Sequence, residues 1–150
     1  MDEEIRRKIL TLLDQHRIMT VATLRPDGWP QATTVGYANE GLTLYFLCGL
    51  DSQKAVNLAQ DDRVSLAIDH DTSDIMAISG LSMAGYAQAV TDLAEAGRVM
   101  QMLVRKYRAD LPAGADAEPG RGPHLPRDAD RDLRARLLQG IRAHRSGPHS

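Results

Sequence analysis

Cysteine is nearly missing from this chain: Cys48 is the only one in 150 residues. A lone thiol excludes an intrachain disulfide, a CxxC redox pair and a zinc ribbon, and suits a reducing cytoplasm. No apolar run is long enough to cross a bilayer, and Met1-Asp2-Glu3-Glu4 opens acidic where a secretory signal would be basic and then apolar. Excess charge is lacking too. Eighteen Lys and Arg face 20 Asp and Glu, for a net charge of −2 and a pI near 6.2. The composition therefore gives no global reason to bind nucleic acid or an anionic membrane, and neither is expected as a partner. The five histidines show no HExxH or HxH spacing, so no metal site is expected, and there is no GxSxG, P-loop or Rossmann fingerprint. The cluster of His70 with Asp69, Asp71 and Asp74 reads as a solvated polar loop.

A chain of this length holds one core. Glu3 to Gln15 places Ile5, Ile9, Leu12 and Leu13 at helical spacing, with acidic residues in the first turn. Such a helix is expected to cover one end of a sheet. Ile18–Leu24 and Trp29–Ala38 are rich in β-branched and aromatic residues, and Pro26-Asp27-Gly28 between them supplies a hairpin turn. Leu42–Leu47 follows the Gly41 turn as a nearly continuous apolar run, which suggests a strand buried on both faces. Ser52 can cap a short helix from Gln53 to Gln60, and Arg63–Asp69 reads as another strand. Met76–Val90 reads as a long strand, bent or bulged near Gly80 and Gly85, and Leu93–Tyr107 returns to helical spacing. The order is antiparallel strands with helices inserted at the ends, so an α+β fold built on a small, mostly antiparallel barrel is expected over a doubly wound sheet.

Two hairpins thus lead into a helix start that carries a hydroxyl and an ammonium. Backbone N–H groups there, with Ser52, Gln53 and Lys54, could converge on a phosphate; a capping serine and a solvated lysine would explain the same residues. Thr33 and Thr34 point to opposite faces of their strand by alternation. Cys48 ends an apolar strand and reads as a small buried hydrophobe.

The residues Met19-Thr20-Val21-Ala22-Thr23-Leu24-Arg25-Pro26-Asp27-Gly28-Trp29-Pro30, then Thr33-Thr34-Val35-Gly36, Leu44-Tyr45-Phe46, Ser52-Gln53-Lys54 with Asn57-Leu58, and Asp62-Arg63-Val64-Ser65-Leu66 come in an order and spacing that resembles the FMN-binding split-barrel family, the pyridoxamine 5'-phosphate oxidase-like proteins. The resemblance covers about residues 3–108. It implies a six-stranded-type split barrel, a homodimer with FMN in a cleft at its interface, and redox chemistry on a small molecule. It implies phosphate contacts from Ser52, Gln53 and Lys54, and ring or ribityl contacts from Thr33, Thr34, Val35, Leu47 and Cys48. Some relatives bind a deazaflavin or haem instead, and a flavin-binding or storage module without turnover is the reading from a different class. No catalytic residue is assigned. The chain departs from the oxidases at Gln53, where they often carry arginine, and at Gly80, where they carry a glutamine that reaches the partner's flavin; Ser82 and Met83 are expected to line the pocket instead.

From Pro112 onward the composition turns to Pro, Gly, Ala, Asp and Arg, with no Lys, Phe, Tyr or Trp. The division expected is a split-barrel domain over residues 1–110 and an atypical tail over residues 111–150. Relatives of this type often end in a stretch like V-I-S-x-L-D-Y-S-K-G-F-G-H. Codons permitted for Arg131 to His144, read one base later, spell V-I-S-G-L-D-Y-S-K-G-F-G-H, and those for His124 to Asp130 yield T-F-R-V-T-P-T. The tail is thus expected to arise from a reading-frame shift between Asp110 and Arg121. In that case the final barrel strand is lost and a sheet edge is left unpaired. The competing expectation is a genuine appendage in which Leu133, Leu137, Leu138 and Ile141 form one face of a helix.

Overall fold

A computed structural model of the protein describes residues 2–70, 72–77, 80–108 and 136–143. Helix α1 (Glu3–Gln15) begins at Asp2, whose carboxylate accepts the Glu4 N–H at 3.1 Å, and it buries Leu13. Strand β1 (Ile18–Leu24) alternates as expected, turning Met19, Val21 and Thr23 inward. Gly28 closes the turn to β2 (Pro30–Glu40) with φ +85°, a region open to glycine at little steric cost. Strand β3 (Thr43–Gly49) is buried on both faces, with Leu44, Phe46 and Cys48 inside the barrel and Tyr45 beneath a helix. Helix α2 (Gln53–Gln60), β4 (Arg63–Asp69), β5 (Gly80–Ala89), α3 (Leu93–Arg108) and β6 (Arg136–Ala143) complete the described chain.

The six strands close into an antiparallel barrel in the order β1-β2-β3-β6-β5-β4. Its interior is filled by Met19, Val21, Tyr37, Leu44, Phe46, Leu66, Ile68 and Ile141, all nearly or fully buried. Helix α1 stoppers one end, where β1 begins. Helix α2 lies at the other, where β1 ends. Helix α3 instead packs on the outside, laying Val99 and Leu103 over Ala38 and Tyr45. Its C-terminal Tyr107 comes so close to β2 that a Cβ on Gly36 would overlap the tyrosine hydroxyl.

The structure differs from the sequence reading in two places. The segment read as the start of a long strand forms a short 3-10 turn at Ile75–Ala77, and residues 78 and 79 lie outside the described residues. Strand β5 starts at Gly80 and pairs with β4 in unbroken register from Asp69↔Gly80 to Arg63↔Tyr86, so no bulge interrupts that ladder at Gly85. Gly85 instead marks where β5 gains its second neighbour, pairing with Ala143 of β6.

The other difference lies in the tail. The place expected to stand empty between β3 and β5 is taken by β6, paired with β3 from Thr43↔Arg142 to Gly49↔Arg136. This part of the proposed amphipathic helix is extended, because two open sheet edges flank it and a strand satisfies both. Leu133, His124, His149 and the proposed frame junction lie outside the described residues.

Candidate functional site

The barrel wall parts at the α2 end. Strand β2 pairs with β3 only over Tyr37–Glu40, whereas its Pro30–Gly36 portion pairs with β1 alone. Among the described residues, the other edge of that portion has no strand beside it. An edge of free N–H and C=O groups is a ready partner for a polar ligand rim. The inward side chains along it are Gln31, Thr33 and Val35, with Val35 against the core. Thr33 Oγ1 is the one buried side-chain polar atom among the described residues that lacks a hydrogen-bond partner. Thr34, on the opposite face, is exposed.

Helix α2 opens beside this gap. Ser52 caps it, its Oγ accepting the Ala55 N–H at 3.1 Å and donating to the Gly49 carbonyl at 2.7 Å. The hydroxyl proton is thereby committed within the loop, so the serine shapes the helix start and an anion would rely on the N–H groups of Gln53 and Lys54 and on the lysine itself. The Lys54 Nζ lies 5.8 Å from the centre of the Phe46 ring. Burial pulls its pKa below the usual lysine value, partly offset by the nearby Cys48. Two arginines of the described residues are matched by carboxylates, Arg25 with Asp27 at 2.9 Å and Arg63 with Asp61 at 2.6 Å. None of the ion pairs among the described residues includes Lys54.

Cys48 is 4% exposed, and burial raises its thiol pKa, so it is a packed thiol and no nucleophile. It and Lys54 share one neighbourhood with Ser52. Leu47 faces the other way, into the cluster beneath α3. The structure therefore brings together Cys48, Ser52, Gln53 and Lys54, sets Thr33 and Val35 on the facing edge, and turns Thr34 and Leu47 to the opposite faces of their strands.

The polar group that joins these parts, Asn57, enters the sequence reading only among the residues of the resemblance and is given no role there. Asn57 is 0% exposed. Its Nδ2 donates to Thr23 Oγ1 on β1 at 2.9 Å and to Gln31 Oε1 on β2 at 3.2 Å, while its Oδ1 accepts from Gln53 Nε2 at 2.8 Å. The available signal was polarity in apolar positions: Thr23 shares the inward face of Met19 and Val21, and Asn57 falls between Ala55 and Leu58 on the buried face of its helix.

His16 and His70 sit at the α1 end, their rings 6.1 Å apart. Among the described residues no group of three or more His, Cys, Asp or Glu could hold a metal ion, and no helix is long and apolar enough to cross a membrane.

The profile of a sequence family described as pyridoxamine 5'-phosphate oxidase matches residues 5–133. No curated protein matches the chain. Among solved structures, the conserved protein Rv2991 of Mycobacterium tuberculosis is similar at 28% identity and TM-score 0.73, covering 97% of this chain and 82% of that one. HutZ, the haem storage protein of Vibrio cholerae, shares the fold at 14% identity and TM-score 0.70, over 93% of this chain and 90% of that one. An F420 reductase does so at 24% identity and TM-score 0.61, over 89% and 91%.

Proposed function

Given that the chain belongs to the pyridoxamine 5'-phosphate oxidase family of split-barrel proteins, we propose that it is an FMN-binding oxidoreductase of the cytoplasm, acting as a homodimer on a small organic molecule. The observation that carries this reading is Lys54: a half-buried ammonium with no carboxylate partner among the described residues, at a helix start, beside an unpaired strand edge. A phosphate there would meet the lysine and the free N–H groups of the first turn of α2. The planar ring system would lie along the Pro30–Gly36 edge, where backbone groups and the unpartnered Thr33 hydroxyl can meet its polar rim. Bound there, the flavin supplies the two-electron redox chemistry, and the protein orients it and excludes water.

The dimer is supported by the outer face of the barrel. Ala32, Thr34, Ser65, Ala67, Ser82 and Ala84 are small and exposed on the outer face of the neighbouring strands β2, β1, β4 and β5, where a second copy can approach closely. A flavin is favoured over haem because both described histidines lie at the far end of the barrel, so that no imidazole among the described residues stands near Lys54. A deazaflavin would use the same phosphate site.

The visible spectrum of the purified protein, with and without added FMN, tests the proposal. Flavin bands in the near ultraviolet and blue are expected. A Soret band would favour haem, and a colourless protein that FMN cannot reconstitute would sink the reading.

A further inference from the structure

Asn57 has no hydrogen bond to Lys54 or Thr33, yet it is tied to three elements that border the site. Its side chain joins β1 through Thr23, β2 through Gln31, and the first turn of its own helix through Gln53, the neighbour of Lys54. With no water contact, every one of its hydrogen-bonding groups depends on protein partners. The two amide protons go to residues that stand directly opposite each other in the β1–β2 ladder, Thr23 and Gln31, and so tie α2 to the portion of β2 that has no β3 partner. The amide oxygen holds the residue that immediately precedes Lys54. Moving Asn57 away from the hairpin would break the bonds to both strands together, so the network holds the helix start against the β2 edge.

We infer that Asn57 is a positioning residue: it sets the distance between the anion-binding start of α2 and the strand edge that receives the ring, and so makes the site selective for a ligand carrying a phosphate at a fixed reach from a planar group. This role rests on the FMN reading above and deepens it. It separates two effects that a packing role would merge. A residue that merely fills the core changes stability. A residue that fixes the spacing of two ligand subsites changes the advantage of FMN over riboflavin, since only FMN must satisfy both.

The test compares FMN and riboflavin binding by fluorescence titration in four forms of the full chain, alongside thermal melts. Wild type should prefer FMN. Asn57→Leu leaves the buried Thr23 hydroxyl without a partner and should melt lower; the double change Thr23→Val with Asn57→Leu removes both polar groups and should recover much of that loss. Neither variant should recover the preference, which should fall about tenfold or more. Leu58→Ala, which removes buried apolar volume from the same helix, should lower the melting temperature and leave the preference within about threefold of wild type. If the stability-restored double variant keeps the wild-type preference, Asn57 is a packing residue and the inference is overturned. An equal loss of preference in Leu58→Ala overturns it as well. A wild type that binds both ligands alike overturns the phosphate site itself, and this role with it.

Discussion

Lys54 and Lys106 lie at opposite ends of one barrel in closely similar settings. Each is half-buried, each stands over an aromatic ring, and burial lowers the pKa of each. Their hydrogen bonding separates them. The Lys106 Nζ donates at 3.0 Å to the carbonyl of Leu13 and sits 3.8 Å from the centre of the Tyr37 ring, while the Tyr37 hydroxyl donates to the same carbonyl at 2.7 Å. That carbonyl belongs to the last turn of α1, where free C=O groups need partners and positive charge is welcome. Lys106 thus completes a seal. Lys54 has no acceptor of this kind among the described residues, at the end where the wall is parted. Two equally placed cations therefore have different uses, and the difference lies in whether the protein supplies the partner.

The change that should disturb this comparison most abolishes both ends at once. A chain stopped after Arg108 loses β6, the neighbour of both β3 and β5. Two long edges inside one barrel would then be unpaired, and the chain is expected to show no cooperative thermal transition by circular dichroism. A sharp melt near that of the full chain would mean that β6 adds nothing to closure.

Substitution at the open end comes next. Lys54→Ala should weaken FMN binding by about tenfold or more, in line with the roughly 1.5–3 kcal/mol of a charged hydrogen bond, and should leave the melting temperature of the ligand-free protein nearly unchanged. Unaltered FMN affinity would remove Lys54 from the site. At the sealed end Lys106→Met should do the reverse. It should destabilise the fold by about 1 kcal/mol, the scale of one net hydrogen bond, with FMN affinity intact. If Lys106→Met weakened FMN binding as much as Lys54→Ala, the two ends would not be functionally distinct.

Much of this arrangement is legible in the sequence because it is local. The strands of the first two hairpins follow from period-2 alternation and two glycine turns, and α1 from its 3.6-residue stripe. The serine at the start of α2 is legible as a cap for the same reason. What the sequence conceals is non-local. The parting of β2 from β3 depends on register, and alternation along either strand alone carries no trace of it. The Asn57 contacts join residues 34 and 26 positions apart. The tail was hidden differently, since Leu137, Leu138 and Ile141 satisfy helical spacing equally well and only the two waiting edges select a strand. The reading-frame proposal for residues beyond Asp110 is decided by sequencing the natural gene and weighing the native protein; a tail encoded in frame refutes it.

The smallest expected effect is a pH dependence that distinguishes the two lysines by their response to ligand. Burial holds both below the ordinary lysine value of 10.5. As pH rises through the lowered values, the folded chain sheds these protons while the unfolded chain still keeps them. The unfolded state then binds more protons, so each lysine makes stability rise with pH between its folded value and 10.5. Tyr37, Tyr45 and Tyr107 act in the opposite sense, because burial raises them and the unfolded chain loses their protons first. Cys48, also raised by burial, acts in that same sense and is coupled to Lys54, and Tyr37 touches Lys106, so each variant, Lys54→Met and Lys106→Met, is compared with itself with and without ligand as well as with wild type. Urea unfolding from about pH 8 to about pH 10 should therefore show a shallower rise in each variant than in wild type. Added FMN should flatten or reverse the part of the rise due to Lys54, because a phosphate favours the charged lysine, and leave the part due to Lys106 in place. Riboflavin, which has no phosphate, should alter neither. If FMN leaves the Lys54 contribution unchanged, the phosphate is not held by that ammonium, and the open end needs another ligand.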